Sequence, residues 1–84
     1  MPLFMDTHRF EGEMPSDEDI AKAHRADLEA QGEHDVSYLK YWVSREAKVV
    51  HCLVEAPDAD TASRVHVQTT GSPPDEIYAV DERT

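Results

Sequence analysis

The chain has 84 residues, a formal net charge of −10 at pH 7 and one cysteine. This length allows a single domain, residues 1–84, with a thin core, and the excess of acidic groups argues against binding to nucleic acid or to anionic membrane surfaces. One cysteine cannot form an internal disulfide, and the sequence has neither a membrane-spanning apolar run nor the pattern of a signal peptide. We therefore expect a cytoplasmic protein.

The first half of the chain predicts a strand followed by a helix. Residues 3–10 alternate between two faces, and Asp6 and His8 share one of them with the two phenylalanines of this segment. Ser16 precedes three acidic residues and is a suitable N-cap, because acidic side chains are stabilising at the positive end of a helix. The predicted helix continues to about Gln31, where the following glycine is a natural stop.

The second half predicts a hairpin, a helix and a last strand. Residues 36–43 and 48–55 form the hairpin, a helix follows from Asp58 to Gly71, and residues 76–80 form the last strand. This βαββαβ order predicts an α+β, ferredoxin-like fold, with both helices on one face of a four-stranded antiparallel sheet. The other face would be bare in a monomer, so we expect a homodimer that pairs through this open face.

Polar side chains occupy positions on the predicted helices where buried apolar ones would be expected. At about 100° per residue, Ile20, His24, Asp27 and Gln31 fall within roughly 60° of one another. On the second helix, His66 lies near the centre of the inner side. Burying such groups without partners costs about 1–3 kcal/mol each. They therefore need hydrogen bonds, a metal ion or a wet cavity.

Several of these side chains are of the types that bind first-row transition metals, and imidazole suits nickel, zinc and copper. The candidate metal ligands, from both helices and two strands, are Asp6, His8, His24, Asp27, Glu55 and His66. Their spacing matches no HExxH, paired CxxC or EF-hand motif. The competing interpretations are a core hydrogen bond between His24 and Asp27, a small buried hydrophobe for Cys52, and solvated positions for His34 and His51.

Four stretches, in order and over nearly the whole chain, resemble a family of short bacterial proteins described as a nickel-binding, ferredoxin-like domain: PLFMDTH (2–8), AHRADL (23–28), YLKYW (38–42) and CLVEAP (52–57). The resemblance implies a dimer whose sheets pack into an α+β barrel, with metal bound by the protein. The motif residues that carry over are Asp6, His8, His24, Asp27, Cys52, Glu55 and His66. Members of this family tend to carry a histidine four residues after the His66 position, where this chain has Thr70.

Three functions are open at this point, and metal binding, with nickel or a similar divalent ion, ranks first. The second is a small enzyme with an acid–base site in the cavity between paired sheets, which a deep pocket with shifted pKa values would favour. The third is a non-catalytic interaction domain, which complete mutual hydrogen bonding without a cavity would favour. Nucleophilic catalysis is poorly supported, because the sequence has no nucleophile elbow and no glycine-rich phosphate loop.

Overall fold

The computed structural model describes residues 2–33 and 35–83, so His34, which was expected at the surface, lies outside the described residues. The elements, in chain order, are β1 (Leu3–Arg9), α1 (Asp17–Ala30), a short 3-10 turn (Gln31–Glu33), β2 (Ser37–Ser44), β3 (Val49–Glu55), α2 (Ala59–Thr70) and β4 (Glu76–Val80). The strands form one antiparallel sheet in the order β2-β3-β1-β4. The predicted βαββαβ, ferredoxin-like arrangement is confirmed. Within the described residues, no helix is long and apolar enough to cross a membrane.

Side-chain caps fix where the two helices begin. The Ser16 hydroxyl accepts a hydrogen bond from the Asp19 backbone N–H at 3.1 Å, and the Asp58 carboxylate accepts one from the Thr61 N–H at 2.8 Å. Each cap satisfies an N–H that has no partner inside its helix. Helix α2 ends at Gly71, whose φ of 83° is in the left-handed region that favours glycine. These boundaries agree with the sequence prediction.

Both helices pack against one face of the sheet, and the core lies between them. The largest group of buried core residues is Phe4, Val36, Tyr38, Val54, Ala56, Ala62 and Val65. A second group, under α1, consists of Ile20, Val50 and Cys52. The Tyr38 hydroxyl donates to the Ala62 carbonyl at 3.2 Å and so joins β2 to α2. The end of α1 is tied to β2, because the Gln31 side chain accepts from the Tyr38 N–H at 2.8 Å.

A β-bulge in β2 changes which side chains face the helices. The pairing with β3 shifts between Tyr38 and Lys40, so that Tyr38 lies opposite Val54 and Tyr41 lies opposite Cys52. Without the bulge, residues 38 and 41 would point to opposite faces, because side chains alternate along a strand. With it, both tyrosines lie on the helix-facing side. Tyr41 therefore reaches the wall of the candidate site.

Candidate metal centre

Three potential metal-binding side chains from three different elements meet under α2. Asp6 of β1 lies directly opposite Cys52 of β3, so both side chains point to the helix-facing side of the sheet. The His66 side chain of α2 lies next to both of them on this side. One donor atom from each of the three lies within 4.8 Å of the others. The exposed fractions are 0% for Asp6, 2% for His66 and 6% for Cys52. The fold thus buries a carboxylate, a thiol and an imidazole next to one another.

The His66 ring lies between two buried aspartates. Its Nε2 donates to Asp6 Oδ2 at 2.7 Å, and its Nδ1 lies 3.1 Å from Asp27 Oδ2. The second contact is an ion pair without the alignment of a hydrogen bond, so His66 Nδ1 has an ionic partner but no hydrogen bond. Asp6 Oδ1 also accepts no hydrogen bond. The other Asp27 oxygen accepts from the Thr69 hydroxyl. The Asp6 carboxylate therefore keeps one buried oxygen that accepts no hydrogen bond.

The charges of the cluster follow from these contacts. Burial lowers the pKa of His66, but its contacts with Asp27 and Asp6 outweigh burial and raise the pKa to about 12. Burial raises the pKa of Asp6, but the two neighbouring histidines, His66 and His8, outweigh it, so that the pKa is lowered overall. Burial raises the pKa of the Cys52 thiol. At neutral pH the metal-free cluster therefore holds an imidazolium against the Asp6 carboxylate, beside a neutral thiol.

Two further histidines border the cluster. His8 Nε2 lies 3.5 Å from Asp6 Oδ1, and the His8 ring meets the His66 ring edge-on, with 4.9 Å between their centroids. His24 of α1 packs on Tyr41 at a centroid distance of 4.5 Å, and its buried Nδ1 makes no hydrogen bond. Burial lowers the pKa of His24, so its imidazole is neutral at pH 7 and can act as a ligand.

A cavity of about 270 Å³ opens between α1 and the sheet beside the cluster. Its wall is largely apolar, and the polar side chains that line it include His8, His24, Asp27, Cys52, His66 and Thr70. The Thr70 hydroxyl donates to the His66 carbonyl at 2.7 Å, so it is partly engaged with the helix backbone. The volume exceeds that of a bare ion and leaves room for water at the site.

Five of the six predicted ligands come together in this region, and one does not. His66 contacts Asp6, Asp27 and His8. His8 also contacts Asp6, and His24 lines the same cavity. Glu55 pairs with Leu3 and Ser37 on the face of the sheet away from the helices, because side chains alternate along β3. The structure thus separates Glu55 from the cluster by the thickness of the sheet.

Cys52 is the member of the cluster that the sequence prediction did not include among the ligands. It is buried and packs with Ile20 and Val50, as expected for a small hydrophobe, and it also presents its thiol to Asp6 and His66. The register of β1 against β3, which places Cys52 opposite Asp6, would have identified Cys52 as a candidate ligand. Long-range strand register is not readable from a single short strand, since many offsets satisfy the same alternation.

Replacing His66 with glutamine should remove a pH-dependent part of the stability of the metal-free protein. The pKa of His66 is higher in the folded protein than in the unfolded chain, so protonation of His66 stabilises the fold. This stabilisation is complete below the unfolded-state pKa of about 6.5, and it decreases as the pH rises towards the folded-state pKa. Between about pH 7 and about pH 9, the free energy of unfolding of the wild type should therefore fall by up to about 1.4 kcal/mol per pH unit relative to His66→Gln. Urea unfolding at each pH, with a chelator present, measures this difference.

The matched control is His51→Gln, which changes the same residue type on the opposite face of the sheet and should keep the wild-type slope. Parallel pH dependences for the wild type and His66→Gln would contradict the assigned charge state of the cluster.

The comparisons with known proteins agree with this architecture. No curated protein matches the chain. The crystal structure of SCO4226 from Streptomyces coelicolor A3(2) is similar to it, with a TM-score of 0.84, 30% sequence identity, and a match that covers 98% of this chain and 99% of that chain. The model of a family described as "Nickel responsive protein SCO4226-like" matches residues 4–80, from β1 to the end of β4. The chain therefore belongs to the SCO4226-like family of nickel-responsive proteins, which confirms the family resemblance of its sequence.

Proposed function

We propose that this protein binds a divalent transition metal, with nickel as the first candidate, at Asp6, Cys52 and His66. The observation that carries the proposal is the convergence of three different donor types, from three elements, within 4.8 Å in a buried site. Carboxylate, thiolate and imidazole together suit a borderline first-row ion better than Ca²⁺ or Mg²⁺, which prefer oxygen ligands. The family description, which names nickel, supports nickel over the other ions of this class.

The chemistry of the metal-free cluster fits an ion of charge two. The proton of the His66 imidazolium now supplies the positive charge next to Asp6, and a metal ion would replace it there. The buried Oδ1 of Asp6 accepts no hydrogen bond, so this carboxylate oxygen has a lone pair that a cation could use. Buried polar atoms in native proteins are rarely left without partners unless a ligand or water completes them.

The neighbouring histidines are the further ligands that we propose from the chain. His8 already lies 3.5 Å from Asp6, and His24 offers a neutral imidazole on the cavity wall. Asp27 contacts His66 and would orient its ring, the role that carboxylates commonly take behind a metal-bound histidine. Glu55 is left out of this set, since it lies on the other face of the sheet.

The single cysteine fits a cytoplasmic location, which we propose for this reason. A thiol binds metal only in its reduced form, and the cytoplasm keeps thiols reduced. Burial of Cys52 raises its pKa, so a metal ion must displace the thiol proton when it binds. Metal uptake is therefore coupled to proton release from both Cys52 and His66.

A second candidate function is acid–base catalysis in the same cavity. The observation that favours it is the pair of histidines whose pKa values are shifted in opposite directions, upward for His66 and downward for His24. Such separation is typical of sites that hold one acid and one base. The cavity and the unpartnered polar atoms favour either ligand-binding function over a purely structural interaction domain.

We also propose a homodimer formed through the open face of the sheet. Within the described residues no helix packs on this face, and it carries the exposed aromatic side chains Trp42 (45% exposed) and Tyr78 (49% exposed). A second copy would bury these rings, and apolar patches of this kind mark protein interfaces more often than free surface.

Metal binding is tested by calorimetric titration of Ni²⁺ into untagged, metal-stripped protein. We expect saturation at about one Ni²⁺ per chain with micromolar or tighter affinity, because the ligands are held in place before the ion arrives. His66→Gln should lose this binding, and His51→Gln, on the opposite face, should retain it. Absence of wild-type saturation, or equal affinity in the two variants, would rule out the proposed site.

The dimer is tested by sedimentation velocity of the wild type and of two variants that add the same charge. Trp42→Glu places a carboxylate in the proposed interface and should produce monomers, because an unpaired charge is costly to bury. Val67→Glu changes a comparably exposed apolar residue on the outer side of α2 and should remain dimeric. A monomeric wild type at concentrations up to about 0.1 mM would refute the dimer.

A further inference from the structure

The buried cluster around His66 carries more negative charge than its own groups compensate. Asp6 and Asp27 are both buried, and the His66 imidazolium lies 2.7 Å from Asp6 Oδ2 and 3.1 Å from Asp27 Oδ2. Two carboxylates therefore share one imidazolium. Asp6 Oδ1 accepts no hydrogen bond, although His8 lies 3.5 Å away. Because an uncompensated charge is costly to bury, the cluster favours a further cation beside it.

Nickel at the proposed site would leave this extra charge in place. A divalent ion adds two positive charges, and its binding displaces two protons, one from the His66 imidazolium and one from the Cys52 thiol. The sum of the charges in the cluster is therefore the same with and without the ion. A compensating cation is favoured in both states.

The cavity of about 270 Å³ beside the cluster suits an organic cation better than a hydrated metal ion. Asp27 and His66 line it, and so do the apolar side chains of Phe10, Ile20 and Val50. A hydrated ion gains nothing from an apolar wall, whereas an organic ligand buries its hydrocarbon part there. Pockets for drug-sized ligands have volumes of about 300–1,000 Å³, so this cavity indicates a smaller molecule.

The polar groups of the lining favour a positively charged ligand. Asp27 is buried in the wall, and the exposed Asp19 places a second carboxylate at the rim. Among the described residues that line the cavity there is no lysine and no arginine. His24 is close to Asp27 on the same side of α1, and burial lowers its pKa, so the imidazole is neutral. Its buried Nδ1 makes no hydrogen bond and can accept one when the proton is on Nε2.

We propose that this cavity binds a small primary amine, in its ammonium form, with a compact apolar body. The ammonium group lies beside Asp27, where it compensates the extra negative charge of the cluster. In the metal-free protein it also donates a hydrogen bond to Nδ1 of His24. The apolar body packs against Phe10, Ile20 and Val50. Carboxylate and phosphate ligands are disfavoured, because the carboxylates of the cavity repel them.

The test is titration of benzylamine into isotope-labelled, metal-stripped protein at about pH 8, followed by the amide chemical shifts in NMR spectra. At this pH a primary amine is still a cation, and an imidazole of ordinary pKa is neutral. We expect saturable shifts in the α1 residues 19–27, with millimolar or tighter affinity. Benzyl alcohol has nearly the same shape without the charge, and benzoate has the opposite charge, so each should bind at least about tenfold more weakly.

Two pairs of variants locate the site on the inner side of α1. Asp27→Asn removes the buried charge and should weaken benzylamine binding at least about tenfold. Glu29→Gln, its control, neutralises an exposed acidic residue outside the lining and should bind as the wild type does. Ala23→Leu fills part of the cavity and should abolish binding, whereas Ala21→Leu adds the same volume outside the lining and should not. Circular dichroism checks that each variant is folded.

Three results would overturn the proposal: no saturable shifts in the wild type, equal affinities for benzylamine and benzyl alcohol, or equal benzylamine affinities within either pair of variants. Nickel titration of Ala23→Leu keeps the outcome separate from the nickel proposal, because Ala23 is not among the proposed nickel ligands. Nickel binding should persist in this variant while benzylamine binding is lost.

Discussion

The contact between His66 and Asp6 is the interaction on which the site depends. In a chain of 84 residues the core is thin, and yet Asp6, Asp27 and His66 are all buried in it. A buried ion pair must overcome the loss of hydration of both partners, so replacement by apolar side chains is often neutral or stabilising. Stability alone therefore does not account for these three residues, and this is why we propose that the cluster binds a metal ion.

The sequence predicted the order of the elements and the inner faces of the helices, because these depend on short-range signals. Ser16 and Gly71 mark helix ends through local hydrogen bonds and backbone conformation. The positions of His24, Asp27 and His66 on the inner sides follow from the helical period. What the sequence could not predict depends on long-range pairing: the register that places Cys52 opposite Asp6, and the bulge that turns Tyr41 towards the helices.

The alternation of β3 divides the chemistry of this protein between the two faces of one sheet. Towards the helices, Cys52 joins a buried carboxylate and a buried imidazole in the cluster that we propose as the metal site. Away from them, His51, Met5 and Trp42 lie on the open face, which we propose as the dimer interface. A shift of one residue in the register of β3 would exchange these two sets of side chains, so the candidate metal centre and the open face both depend on the same strand pairing.

The most direct test of the account is nickel K-edge X-ray absorption of the nickel-loaded protein, compared with nickel-loaded Cys52→Ser. In the wild type we expect one sulfur atom among the atoms bound to nickel, together with nitrogen and oxygen ligands. In Cys52→Ser this sulfur should disappear while any bound nickel keeps the other ligands. A wild-type spectrum with nitrogen and oxygen ligands only, unchanged in the variant, would contradict the assignment of the site to Asp6, Cys52 and His66.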